Sequence, residues 1–203
     1  MNTEENDLRC LFARDDDTVY PKQGVFLGGA SPPDGEMKNG WRRKLIAKLK
    51  EDARLDADML LVAPEPSSGN WKDIDHQEPY SDSKALWKKQ THWELQYLRS
   101  CDITTFWLPT YWTKKRSGVF APNIGPSTRW EFGYFLQEYL HDQQNRDFIV
   151  GSPEDAQGID WAKEITRLHG IKWHSLKNKD KSKLVADSFV DEIANTLIRN
   201  KYR

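Results

Sequence analysis

Short apolar runs alternate with segments of helical spacing along most of the chain, and this alternation constrains the fold more than any other feature. Gly24 to Leu27 (GVFL), Met59 to Ala63 (MLLVA), Ile103 to Leu108 (ITTFWL), Asp147 to Val150 (DFIV) and Ile171 to Leu176 read as buried strands. The first stops at Gly28-Gly29-Ala30-Ser31, the second at Pro64 and Pro66, the third at Pro109. Between them Trp41 to Lys50 carries apolar residues at 41, 45, 46 and 49, which is one face of a helix. Lys84 to Ser100, Thr128 to Leu140, Asp160 to His169 and Lys183 to Arg199 also read as helices, with Gly170 as a C-terminal cap. A strand followed by a helix, five times over, predicts an α/β fold: a doubly wound, mostly parallel five-stranded sheet of the flavodoxin or Rossmann-like kind.

A length of 203 residues suits one domain, placed at residues 24–203, with residues 1–23 as an N-terminal extension. Leu8 to Ala13 in that extension reads as an added edge strand, with antiparallel pairing as one option. Charged residues make up 30% of the chain but the net charge is −1. No global basic field results, so macromolecular nucleic acid is not an expected partner, whereas a small anionic substrate remains open. The two cysteines, Cys10 and Cys101, make no disulfide framework and fit no zinc spacing, so a reducing cytoplasm is the simplest location. The first residues are acidic and polar, unlike a signal peptide, and no apolar run approaches the roughly 18 residues of a membrane span. Nine tryptophans serve cores first, and aromatic rings also line pockets for bases and sugars.

In sheets of this kind ligands bind beyond the carboxyl ends of the strands. The relevant loops are 28–36, 64–84 and 109–127, the last two long and rich in polar and aromatic residues. Three acidic residues lie close to them in sequence: Glu94, Asp102 and Glu131. Each also has a structural reading. Thr128-Arg129-Trp130-Glu131 has the form of a capping box, in which the glutamate reaches back to the helix N-cap. Glu94 fits a solvated helix position, and Asp102 a turn that satisfies nearby amides. His92-Trp93-Glu94 opens like a zinc deaminase signature, but the chain lacks the Pro-Cys-x-x-Cys that completes it, so no metal is expected. Gly28-Gly29-Ala30-Ser31 could offer amides to a phosphate or sugar, although it is neither a Walker sequence nor a full dinucleotide fingerprint.

Four pieces taken together resemble a known family: Val25-Phe26-Leu27-Gly28-Gly29-Ala30, Trp41-Arg42, Trp93-Glu94 with Cys101-Asp102-Ile103, and Trp130-Glu131-Phe132-Gly133-Tyr134-Phe135-Leu136. The chain in this stretch, about 24 to 150, looks like the nucleoside 2-deoxyribosyltransferase-like superfamily, which includes hydrolases of nucleoside 5′-monophosphates. The resemblance implies that Glu131 is the nucleophile at the anomeric carbon and that Glu94 orients the sugar or handles the proton of the leaving base. It implies substrate contacts from Gly28, Gly29, Ala30, Ser31, Trp93, Asp102 and Ser127, no cofactor, and assembly as a homodimer or larger homo-oligomer. Where transferases of the family carry a base-binding aspartate and some hydrolases a serine, this chain has Gly125, so base specificity and transfer versus hydrolysis stay open. Ser127, Thr128 and nearby amides could still receive an anion at the helix N-terminus.

The chemistry implied is cleavage or transfer at the N-glycosidic bond of a nucleoside, deoxynucleoside or 5′-monophosphate. Two carboxylates suffice for it, one as nucleophile and one as proton donor, without a metal. Two other readings stand beside it. The long loops leave room for NAD or another dinucleotide as substrate of an N-glycosidase, and the same fold also serves non-catalytic nucleotide binding.

Overall fold

The computed structural model describes residues 8–13, 15, 23–33, 36–71, 73, 83–114, 120–123, 125–177 and 184–202. In chain order the elements are β1 (Arg9–Phe12), β2 (Gln23–Gly29), α1 (Trp41–Lys50), β3 (Met59–Ala63), α2 (Ser83–Ser100), β4 (Ile103–Trp107), β5 (Tyr111–Lys114), β6 (Phe120–Asn123), α3 (Pro126–His141), β7 (Asp147–Pro153), α4 (Asp160–Leu168), β8 (Trp173–Leu176) and α5 (Asp187–Asn200). A short 3-10 turn, Met37–Asn39, precedes α1.

Six strands form one sheet in the order β1-β3-β2-β4-β7-β8, and every neighbouring pair is parallel. The fold is therefore the doubly wound α/β fold that the alternation predicts. Strand order reverses between β2 and β4, which opens a crevice beyond their carboxyl ends. Helices on both faces explain why the strands read as unbroken apolar runs. Val25, Leu27 and Ile103 pack with Trp41, Leu45, Phe189 and Ile193 of α1 and α5 on one face. Phe26, Phe106, Phe148 and Val150 pack with Trp93, Leu98, Phe132, Phe135 and Ala162 of α2, α3 and α4 on the other.

Beyond shifts of a few residues at element ends, such as the last helix starting at Asp187 and the last strand at Trp173, four points of comparison with the sequence expectation matter. The sheet has six strands: the five of the alternation and, at its edge, the added strand read at Leu8 to Ala13, here β1. β1 is parallel to β3, pairing Arg9 with Leu60 through Phe12 with Ala63, and the Ala13 amide continues the contact onto the Glu65 carbonyl at 3.0 Å. Leu8 and Leu11 drop into the two opposite cores, which ties the extension into the domain. Second, β2 does not stop before the glycines. Gly28 and Gly29 pair with Phe106 and Trp107, because only a residue without a Cβ fits there: a Cβ on Gly29 would lie 2.1 Å from the Trp107 carbonyl oxygen. Third, the loop after β4 folds into an antiparallel hairpin, β5 with β6.

Fourth, α3 starts at Pro126, not at Thr128. Proline is pre-set for the first helical position and outcompetes a threonine cap two residues later. Gly125, at φ 80°, is the N-cap, and its amide donates to Asn123 Oδ1 at 2.9 Å. Thr128 is thus buried inside the first turn and Glu131 falls in the second, so no capping box forms.

Candidate active site

At the switch point the organising group is Arg42. It lies on the buried face of α1 with Trp41, Leu45, Ile46 and Leu49, and is 1% exposed. A guanidinium buried this deeply needs its donors satisfied. Nε donates to the Leu27 carbonyl at 2.8 Å and Nη2 to the Gly29 carbonyl at 2.6 Å. Nη1 donates to Ser31 Oγ at 3.1 Å and to Glu65 Oε2 at 3.2 Å. Glu65, fully buried between Pro64 and Pro66, also accepts from Arg43 Nε at 2.9 Å. Arg42 and Arg43 together clamp the ends of β2 and β3. The Ala30 carbonyl accepts from the Trp41 indole at 2.8 Å, so the turn after β2 is pinned from the α1 side.

Two carboxylates face this cation from two other helices. Glu94 sits in the fourth turn of α2 and Glu131 in the second turn of α3, both largely enclosed. Burial and then the Glu94 charge, opposed by Arg42, raise the Glu131 carboxyl to about 7. Burial also raises Glu94, against a hydrogen bond from Gln90 and the attraction of Arg42. Gln90 Nε2 donates to Glu94 Oε1 at 2.8 Å from one turn earlier on α2. Tyr111, at the start of the hairpin, is pushed up to about 12 by burial, with Arg42 opposing and Glu65 and Glu36 adding, so the phenol is neutral and adjoins the same charges. Two enclosed carboxyls that repel one another across a fixed cation retain a proton near neutrality. Such a pair can serve one partner as nucleophile or base and the other as acid.

Glu131, Glu94 and the Gly28 to Ser31 segment are therefore brought together, but the other sequence candidates separate. Asp102 lies at the amino end of β4, the opposite end of the sheet from the crevice. Its carboxylate accepts the Gly24 amide and its carbonyl the Asp147 amide at 2.9 Å, so it joins strand beginnings and is corrected from a substrate contact to a structural residue. Trp93 points into the core below α2, tilted against Tyr97, with its indole donating to the Asp15 carbonyl at 3.2 Å. That packing corrects its assignment as a substrate contact. Gly28 and Gly29 act as strand residues that allow close approach of β4, while Ser31 is exposed with its hydroxyl on Arg42. Ser127 is exposed at the start of α3, next to Gly125. Among the described residues no cluster of His, Cys, Asp and Glu could hold a metal ion. Cys101 is buried and Cys10 partly so, and burial pushes the Cys10 thiol up to about 12.

The sequence candidates omitted Arg42 as a site group, and also Glu65, Gln90 and Tyr111. A signal existed for the first two. Arg42 shares the helical face of Leu45, Ile46 and Leu49, and Glu65 sits between two prolines at the end of an apolar strand. Gln90 and Tyr111 carry no such mark. No protein-family model matches the chain, and no curated protein sequence matches it significantly.

Proposed function

We propose that the protein cleaves or transfers at the N-glycosidic bond of a nucleoside, a deoxynucleoside or its 5′-monophosphate, with Glu131 as nucleophile and Glu94 as proton donor and acceptor. The observation that carries this reading is the coupling of these two enclosed carboxyls at the switch point of the sheet, balanced by Arg42. With α3 starting at Pro126, Glu131 is released from the capping role that would otherwise account for it. The resemblance to the nucleoside 2-deoxyribosyltransferase-like superfamily points to the same residue.

The working state holds one proton on the pair. Ionised Glu131 forms a bond to C1′ of the sugar as the C1′–N bond breaks, and the bond pair leaves on the base nitrogen. The proton on Glu94 passes to that base, leaving Glu94 ionised. Water, or a second base, then attacks C1′, its proton passes to Glu94, and the Glu131 ester bond breaks to restore the carboxylate. Positive charge on the sugar develops beside Glu131, which draws the shared proton toward Glu94. Base binding would fall to Tyr111, which adjoins Arg42 and Glu65, and to loops 64–84 and 109–127, parts of which lie outside the described residues.

Incubation with a panel of nucleosides and 5′-monophosphates, followed by chromatography of released bases, tests the reading. Base release from at least one member, abolished in Glu131→Gln, is expected. No release from any member, with that variant indistinguishable from the parent protein, refutes it.

A further inference from the structure

Gln90 holds a buried amide with one hydrogen bond and one orphan. Its residue is 8% exposed, its Nε2 donates to Glu94 Oε1 at 2.8 Å, and among the described residues its Oε1 has no partner. A buried carbonyl without a partner normally costs free energy, so an orphan beside a titratable group calls for a physical reason. Glutamine offers two faces to the same neighbour: an acceptor on one side of the amide and donors on the other. A carboxylate needs the donor face. A protonated carboxyl needs the acceptor face. Because no described group competes for Oε1, a half-turn of the amide exchanges one hydrogen bond for another without stranding a second partner.

We propose that Gln90 is the positioning residue for Glu94, donating its amide N–H to the ionised carboxylate and, after a half-turn, accepting the proton of the protonated acid. This rests on the reading of Glu94 as the group that delivers and reclaims the proton of the leaving base. Each turnover would carry Glu94 through both protonation states, and an ordinary one-faced partner would favour one of them. A lysine or arginine there would lock Glu94 ionised, and a second carboxylate would lock it protonated. Gln90 serves both states and keeps the carboxyl aimed across the crevice at the base. The charged groups around Glu94 are Arg42 of α1, paired with Glu65 after β3, and Glu131 of α3. Tyr111 of β5 is neutral and interacts with Arg42 and Glu65 rather than directly with Glu94. None of these supplies a switchable hydrogen bond to Glu94, which leaves that task to Gln90.

The test is a side-chain NMR titration of the whole chain, free of substrate, from about pH 4 to about pH 9. The Gln90 amide signals, assigned by their loss in Gln90→Met, are expected to move with the same midpoint as the Glu94 carboxyl carbon. The movement is expected to vanish in Glu94→Gln. Because Gln90 donates to the charged form and accepts from the neutral one, Gln90→Met is expected to leave the Glu94 midpoint within about 0.3 unit, whereas loss of a one-faced donor would raise it by roughly one unit. Gln90 signals that stay fixed while Glu94 titrates overturn the proposal, as does a Glu94 midpoint that rises by roughly one unit in Gln90→Met, which would mean that Gln90 serves the ionised state alone. The titration needs no turnover. A protein in which Gln90 and Glu94 titrate together but no nucleoside is cleaved supports this coupling and sinks the catalytic reading alone.

Discussion

At the residue scale, Glu131 sets function against stability. Its carboxyl is ordinarily near 4.5 and is raised to about 7 in the fold, chiefly by burial and then by Glu94. A raised acid favours the folded state while it stays protonated. That contribution is complete below pH 4.5 and is lost as pH rises through about 7. Glu131→Gln cannot ionise, so it avoids the loss. We expect the variant to match the parent in stability at acid pH and to exceed it at pH 8, by on the order of 1–3 kcal/mol. Its turnover should fall by about a hundredfold or more. Paired thermal melts at acid and alkaline pH, with one rate measurement, check both. A variant no more stable at pH 8 than the parent would mean that the carboxyl is solvated rather than enclosed. Because the two carboxyls titrate as a unit, base release should also decline above about pH 7, where the last shared proton leaves. The position of Glu131 in the motif was visible in the sequence. Its freedom from the cap turns on Pro126, whose preference for the first helical position starts the helix ahead of the Thr-x-x-Glu pattern.

At the element scale, two glycines show how the same residue serves opposite ends. Gly29 has φ 133°, and a Cβ there would meet the Trp107 carbonyl at 2.1 Å and the Trp41 ring at 3.0 Å. Gly29→Ala is expected to destabilise the fold by more than about 2 kcal/mol, since strand backbone must move and Arg42 loses its carbonyl geometry. A denaturant midpoint unchanged within error would contradict the tight β2–β4 approach. Gly133 lies exposed in α3 with nothing within 4 Å of an added Cβ. Gly133→Ala should stabilise by roughly 0.5–1 kcal/mol through helix propensity and a smaller unfolded ensemble. α1 provides the third case at this scale. Arg42→Ala strands the buried Glu65 with Arg43 alone and frees the Leu27 and Gly29 carbonyls, so a loss of about 3–5 kcal/mol is expected in urea unfolding. The helix itself was legible from its apolar spacing. The buried role of Arg42 depends on the carbonyls of another strand, which no local pattern encodes.

At the scale of the whole molecule, β1 closes the sheet beside β3. Removing residues 1–12 would expose an unpaired parallel edge and empty the sites of Leu8 and Leu11 in the two cores. Each buried leucine contributes about 1.5–3 kcal/mol, so truncation should cost several kcal/mol and promote association through the bare edge. Calorimetry and light scattering on the truncated chain test this, and an unchanged melting temperature with a monodisperse solution would contradict it. No helix among the described residues is long and apolar enough to cross a membrane.

What the sequence determined by itself is the layered architecture. Strands enclosed between helices must be apolar at every position, and helices with one buried face must repeat near 3.6 residues, so both periods are written locally. Helix α1 and strand β3 accordingly fall on the residues the pattern assigns them, Trp41–Lys50 and Met59–Ala63. Tertiary structure alone decided the rest. Strand order placed Asp102 at one end of the sheet and Glu94 with Glu131 at the other, although all three flank the crevice loops in sequence. It turned Arg42 and Glu65, distant by 23 positions, into one buried pair beneath the site. The physical reason is that charge, burial and hydrogen-bond satisfaction are properties of neighbours in space, and the parallel sheet chooses those neighbours by crossover rather than by adjacency along the chain.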